Sequence, residues 1–338
     1  MSQFTSDYDF FLPEDLVAKY PVHPRDSAKL LVYNRAKDEI THTHFRHIFD
    51  FLPSNLSYVF NDTKVIKARL FGKKQSGGKA EVLINRPLKD DLFSVFIKAK
   101  VAVETKIYFT EHLFLEVIAL EEDGSRVVSF CDELDKKLDF NQLIEYTKQI
   151  GHIPIPPYLK REESESDKLD YQSLFAKYDG SVAAPTASLH FTKELIEKIP
   201  KTNLYHTTLH IGAGTFKPIE SDEISDHKMH FEYYEIAKQT KDLIDSKAPL
   251  LAVGTTVSRS IESYVRSGEA SSETNLFLSP KNPPKRVDHL LTNFHFPKSS
   301  LIVLVSSFIG LEKTKAIYEE AISKQYRFYS YGDAMLIL

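Results

Sequence analysis

The 338-residue chain has a single cysteine, Cys131, so it cannot form an internal disulfide, and zinc or iron–sulfur sites built from several cysteines are excluded. A reducing compartment suits such a chain. There is no surplus of positive charge either. The 43 Lys plus Arg stand against 47 Asp plus Glu, for a net charge of −4, so the overall field does not attract nucleic acid. Any contact with a polyanion falls to a local patch. Long apolar runs are missing: the longest strongly apolar stretch, Leu301 to Val305, is far shorter than the roughly 20 residues of a membrane-spanning helix. Residues Met1 to Asp7 have neither a basic nor an apolar signal region, and no internal repeat or low-complexity tract occurs. These absences place the chain in the cytoplasm, away from membranes, as an expectation.

What is present is a globular composition, 42% hydrophobic and 27% charged, in a chain too long for one ordinary core. Residues 80–131 read as strands. Alternation in Leu92 to Ile97, a hairpin pairing Leu113–Leu120 with Arg126–Phe130 around Glu122-Asp123-Gly124, and a turn at Lys74 to Gly78 suggest a small antiparallel barrel. A helix over Phe140 to Ile150, ended by Gly151, closes this block, and Ile153 to Pro157 reads as a stiff connection. Beyond it, strands at Leu204–Ile211, Leu250–Val253 and Val287–Leu291 alternate with helices at Thr192–Ile199, Val257–Val265, Ser299–Phe308 and Glu312–Gln325. The expected architecture is an α/β main domain, a mixed sheet with helices, made of 1–65 and 152–338, with an all-β barrel, 66–151, inserted. The polar run Arg161 to Lys168 reads as a mobile loop, with a helix beginning near Asp167.

Three stretches rich in small, hydroxyl and His residues stand out: Asp179 to Phe191, Thr208 to Phe216 and Thr292 to Ser300. Two follow an expected strand and the third leads into a helix, which reads as loops of one cleft at the carboxyl ends of a sheet. Gly212-Ala213-Gly214-Thr215 permits close backbone approach to a ligand, and a tight turn explains it equally well. Gly254-Thr255-Thr256 opens a helix whose N–H groups can hold an oxygen anion, or simply carries an N-cap. Lys298-Ser299 repeats that arrangement. Asp226 to Glu232 packs two His and a Glu into a short span, but lacks the His-Glu-x-x-His spacing of a zinc site, so proton transfer or hydrogen bonding is the better reading. Asn61-Asp62-Thr63-Lys64 reads as an Asx turn or a site loop, and Asp333 as a cap before a terminal strand. Basic clusters occur at Lys64 to Arg69, Lys160-Arg161 and Lys281 to Arg286. A conventional methyltransferase would show Gly-x-Gly-x-x-Gly after a first strand, which is absent. A non-catalytic RNA-binding module remains open.

Taken together, Tyr20 to Asp26, Phe60 to Ile66, Gly180 to Phe191, His227 to His230, Gly254 to Thr256, Thr292 to Ser300 and Tyr331 to Leu338 resemble the S-adenosylmethionine:tRNA ribosyltransferase-isomerases of queuosine synthesis, in order and over nearly the whole chain. The resemblance implies an α/β domain with an inserted β-barrel. It implies transfer and isomerisation of the ribosyl unit of S-adenosylmethionine onto 7-aminomethyl-7-deazaguanine at the tRNA wobble position, with adenine and methionine leaving and an epoxycyclopentanediol formed. The partners are then the precursor-bearing tRNA and S-adenosylmethionine, used as a substrate with no further cofactor or metal, and the chain is expected to be a monomer. On this resemblance, His190, His210, His230, His295, Asp62 and Glu232 are the expected catalytic groups. Thr186, Gly212, Gly214, Thr215, Phe216, Gly254, Thr255, Thr256, Asn293, Lys298, Tyr331 and Asp333 are expected to bind substrate, and Lys64, Arg69, Lys160 and Arg161 to contact tRNA.

Overall fold

The computed structural model describes residues 4–338. The chain enters a sheet through β1 (Lys29–Asn34), β2 (Glu39–His44) and β3 (Ser57–Asn61), then forms the short β4 (Thr63–Val65). Six antiparallel strands follow and close into a barrel: β5 (Arg69–Lys74), β6 (Lys79–Pro87), β7 (Leu92–Lys98), β8 (Lys106–Thr110), β9 (Leu113–Leu120) and β10 (Arg126–Cys131). Alternation sets its interior. Leu115, Val117, Val128 and Phe130 are fully buried on β9 and β10, and each such side chain contributes ~1.5–3 kcal/mol. The β9–β10 turn places Gly124 at φ 86°, a conformation costly for a residue with a Cβ. The barrel is closed by α1 (Phe140–Ile150), started by an Asp139–Gln142 capping box and facing inward with Leu143, Ile144 and Thr147.

The chain then returns through α2 (Asp167–Asp170), β11 (Tyr178–Ser181), α3 (Lys193–Glu197), β12 (Leu204–Leu209), β13 (Glu232–Ile236), α4 (Lys238–Ser246) and β14 (Leu250–Val253). It ends with α5 (Thr255–Ser267), β15 (Ser271–Thr274), β16 (His289–Asn293), α6 (Ser300–Ile309), α7 (Leu311–Ser323) and β17 (Ala334–Ile337). The large sheet has the order β15-β13-β12-β3-β14-β16-β17-β1-β2. Strands β12, β3, β14 and β16 run parallel, so their carboxyl ends form one edge. The long segment before the barrel is thus stitched into the sheet by strands far away in sequence: β3 lies between β12 and β14, and β1 pairs with β17.

The run Arg161 to Lys168, expected to be mobile, is instead tied down. The Arg161 guanidinium grips both oxygens of buried Asp167, Ser164 donates to Asp167 through backbone and hydroxyl, and Glu163 accepts from the Ile153 N–H. Part of its polarity serves internal ion pairing, while Glu162, Glu165, Ser166 and Lys168 stay exposed. Among the described residues, no helix is long and apolar enough to cross a membrane.

Candidate active site

At the shared carboxyl edge lies a cavity with about 770 Å³ of open space, mouth included. Its floor is Gly254-Thr255-Thr256 at the β14–α5 junction, and its walls include Thr186, Thr215, Glu232, Arg259, Asn293 and His295. One side is aromatic: Tyr158 lies 4.6 Å from Tyr329 and 6.2 Å from Phe216, ring centre to ring centre, and Phe296 stands edge-on to Tyr329. Gly254 has φ 105° and offers no side-chain cap, so the first N–H groups of α5 are left to the cavity.

Two buried groups brace this floor. Asn61, at the end of β3, donates to the Leu209 carbonyl at 3.0 Å and to Thr256 Oγ1 at 3.1 Å, and its Oδ1 accepts from the Thr63 and Leu209 N–H groups. It thereby fixes two strand ends and the start of α5. One turn into α5, Arg259 pairs through Nη1 with Glu232 Oε2, while Glu232 Oε1 accepts from the Gly212 N–H at 3.0 Å. Both side chains are 7% exposed. Arg259 Nε donates to the Leu276 carbonyl, but buried Nη2 has no hydrogen-bond partner among the described residues. A guanidinium donor left unpaired beside a helix N-terminus suits a ligand carboxylate.

A second cavity, with about 790 Å³ of open space, lies in the seam between barrel and sheet, lined by Asn85, Phe140, Gly180, His210, Gly212, Phe231, Tyr233 and Glu273, and again by Glu232. His210 Nδ1 is 2.8 Å from Thr63 Oγ1, and its ring lies nearly parallel to Tyr233 at 6.2 Å. Burial lowers the His210 pKa to about 4. His295, whose Nε2 is 2.8 Å from Thr292 Oγ1, is lowered by burial to about 3. Both imidazoles are therefore neutral near pH 7 and act as hydrogen-bonding groups.

Comparison with known proteins fits this geometry. A family model described as "Queuosine biosynthesis protein" matches residues 5–337. The chain belongs to this family. Among its relatives are the S-adenosylmethionine:tRNA ribosyltransferase-isomerases of Sulfurimonas denitrificans, 57% identical with 99% of this chain and 98% of the relative covered, and of Campylobacter jejuni strain RM1221, 52% identical with 98% of each covered. The crystal structure of an S-adenosylmethionine tRNA ribosyltransferase from Thermotoga maritima superposes with a TM-score of 0.53 at 31% identity, covering 98% of this chain and all of that one.

In this member of the queuosine biosynthesis family the expected site residues fall into three groups. Thr186, Thr215, Phe216, Gly254, Thr255, Thr256, Asn293 and His295 meet in the first cavity, His210 and Gly212 in the second, and Glu232 in both. A third group lies elsewhere. His190 is sealed behind the first cavity, stacked on Phe45 and close to Arg25, and burial followed by that positive charge lowers it to about 3. His230 sits on the surface against Gly214, with Asp123 3.9 Å away. Asp62 accepts from Thr208 Oγ1 at 2.6 Å, outside both cavities, and burial raises its pKa. Lys298 pairs with Asp9 at 2.7 Å on the surface. Tyr331 donates to Asp167, and Asp333 accepts from the Lys29 and Arg327 N–H groups, so both brace the fold.

The four basic residues each have a carboxylate partner: Lys64 with Asp179, Arg69 with Glu81, Lys160 with Glu14 and Arg161 with Asp167. The Arg161 side chain is 10% exposed, which takes it out of reach of RNA. The His227–Glu232 span does not converge on an ion: His227 turns to Phe277, His230 to Asp123 and Glu232 to Arg259. Sequence reasoning missed Tyr158, Tyr329 and Arg259 and named Asn61 only as part of an Asx turn or site loop, a turn whose Thr63 N–H to Asn61 Oδ1 bond is present. Asn61 was within reach, because an Asn at a strand end beside the flagged Asp62 has the donors and acceptor needed to lock neighbouring strand ends.

Proposed function

We infer that this chain transfers the ribosyl unit of S-adenosylmethionine to 7-aminomethyl-7-deazaguanine at the tRNA wobble position and isomerises it to the epoxycyclopentanediol, releasing adenine and methionine. The observation that carries this reading is the first cavity, where an uncapped helix N-terminus and an unpaired Arg259 donor face an aromatic wall. An amino-acid carboxylate belongs on the first and adenine against the second. Thr255, Thr256 and Thr186 are within the same lining to hold ribose hydroxyls.

The positive sulfur acidifies the 5′ carbon of the ribose; a base removes that proton, and adenine leaves with the glycosidic electron pair and takes up a proton. Between those two events the ring C4′–O4′ bond breaks, leaving a vinylsulfonium and a C1′ aldehyde. The tRNA amine adds at C4′ and loses its proton to a base, the 5′ carbanion so formed bonds to C1′, and the resulting alkoxide closes the epoxide on the 5′ carbon, breaking the carbon–sulfur bond and leaving its electron pair on neutral methionine. Neutral His295 serves here by accepting or donating a hydrogen bond, since an imidazole with a pKa near 3 carries no proton to give at pH 7. Arg259 keeps Glu232 oriented, holding Oε2 while the Gly212 N–H holds Oε1.

The reading includes a division into a main domain, 1–65 with 152–338, and an inserted barrel domain, 66–151; the barrel's own apolar cluster, joined from the main domain by Val182 and Ala213, supports it. It also includes a cytoplasmic monomer that needs no cofactor beyond S-adenosylmethionine as substrate. The deciding experiment incubates the chain with precursor-bearing tRNA and ribose-labelled S-adenosylmethionine, followed by mass analysis of the nucleosides. Labelled epoxycyclopentanediol nucleoside, with adenine released only when that tRNA is present, is the expected result. Equal adenine release without tRNA would replace the transferase with a nucleosidase.

A further inference from the structure

We propose that the two cavities divide the substrates: the second, in the seam between barrel and sheet, receives the flipped wobble base, which meets the ribosyl carbons at Glu232. This rests on the function proposed above and deepens it.

The polar groups of the two chambers differ. The first holds a buried guanidinium donor, Arg259 Nη2, without a hydrogen-bond partner among the described residues, which suits a carboxylate. The second is lined by the carboxylates of Glu232, held by Arg259, and Glu273; among the described residues its one cationic lining side chain, Arg86, pairs with Glu273, and the outer carboxylate oxygens remain as acceptors. A primary aminomethyl group, with an intrinsic pKa close to the ~10.4 of lysine, is a cation at neutral pH and fits the second chamber.

Shape and access agree. A base that undergoes chemistry must leave its stack, and single-stranded loops present such bases to aromatic side chains. Phe231 and Tyr233 stand on the second cavity's wall 48% and 40% exposed, large rings that the fold itself leaves uncovered. Behind them, Gly180 and Gly212 keep the wall thin: a Cβ on Gly180 would strike the His210 ring at 2.7 Å, and one on Gly212 would approach Asn85 Oδ1 at 3.0 Å. Glu232 then lies on the wall common to both chambers, with one oxygen held by Arg259 from the first side and the other by the Gly212 N–H. An ammonium drawn to that carboxylate gives up a proton to it and, as a free amine, arrives where a nucleoside in the first chamber can be attacked.

The chain has no tryptophan, so one indole placed in either chamber reports alone. F231W should be quenched by an anticodon stem-loop carrying the 7-aminomethyl-7-deazaguanine and unaffected by S-adenosylmethionine, while F296W responds in the opposite way. In steady-state assays Y233A should raise KM for the stem-loop roughly 5- to 100-fold, the loss of one base-stacking contact, and leave the Kd for S-adenosylmethionine within about twofold. An F231W response to S-adenosylmethionine alone, or a Y233A protein that loses S-adenosylmethionine binding with stem-loop KM intact, overturns the assignment. If the wild-type chain makes the product while these signals are reversed, only the chamber assignment falls; if it makes no product, the functional reading falls first.

Discussion

Replacing Arg259 by methionine separates two effects that the structure places on one side chain. The first is stability. Glu232, 7% exposed, would keep only the Gly212 N–H as a partner, and breaking a buried ion pair from one side costs ~3–5 kcal/mol. That is a large part of the roughly 5–15 kcal/mol that holds a typical protein folded, and it should lower Tm by on the order of 5–10 °C. Adding Glu232→Gln should restore most of the loss, because the buried charge goes with it. The second effect is on binding. The missing charge-assisted hydrogen bond from Nη2 is worth ~1.5–3 kcal/mol, roughly a 10- to 150-fold rise in Kd for S-adenosylmethionine. Calorimetric titration with S-adenosylmethionine and its decarboxylated analogue isolates that contact. The wild-type protein should prefer the carboxylated ligand by the same factor, and R259M should not distinguish the two. If the wild-type protein is indifferent to the carboxylate, a requirement that does not depend on any variant folding, the reasoning is refuted.

His190, His210 and His295 have folded pKa values of about 3, 4 and 3, below the unfolded value near 6.5, so the unfolded chain binds more protons between these limits. Stability should therefore fall as pH drops from about 6.5 towards 4, by up to about 4 kcal/mol per pH unit near pH 5; urea unfolding at several pH values checks both sign and slope. Glu262, fully buried, accepts the Lys285, Arg286 and Val287 N–H groups and pairs with Arg266, so Glu262→Ala should cost ~3–5 kcal/mol in chemical denaturation while leaving kcat of the folded protein close to wild type. Asn61→Ala orphans the Thr63 and Leu209 N–H groups and should lose at least ~2 kcal/mol in urea unfolding, together with kcat, because Thr256 and the start of α5 are released. Activity should be unchanged by EDTA; inactivation by the chelator, reversed by zinc, would restore a metal to the mechanism.

The barrel was the most legible part of the fold because its signals are local. Alternation over Leu92 to Ile97, the Asp123-Gly124 turn and the capped run ending at Gly151 each specify structure within a few residues, and they appear as β7, the β9–β10 hairpin and α1. In the sheet, β14 and the helices α5 to α7 were readable from apolar runs and caps, with ends shifted by a few residues. Strands β1 to β5, β11, β13 and β15 were not proposed. The outer edges formed by β2 and β15 carry mostly polar side chains, and β13, with Tyr234 and Ile236 inward, lay next to a His-rich stretch that drew a chemical reading.

Site residues were legible where the motif follows a strand, as at Gly254 to Thr256, since sheet topology delivers strand ends to one edge. They misled where a chemically suggestive residue meets a partner distant in sequence. Asp333 looks ligand-like until Arg327 and Lys29 are beside it, Tyr331 until Asp167 is, and Lys298 until Asp9 is. Arg259 failed the other way: one arginine in an amphipathic helix carries no motif, and its meaning comes from Glu232, a strand away.

Strand β17 occupies the interior of the large sheet, antiparallel to β16 on one side and parallel to β1 on the other. During synthesis the barrel has all its strands once Cys131 has emerged, whereas β1, paired on one side with β2, must wait some 300 residues for β17 on the other. Until residues 334–337 arrive, β1 and β16 each show an unsatisfied, strongly apolar edge, the kind of surface that invites wrong pairing. A chain lacking residues 334–337 would carry a finished barrel on a split sheet.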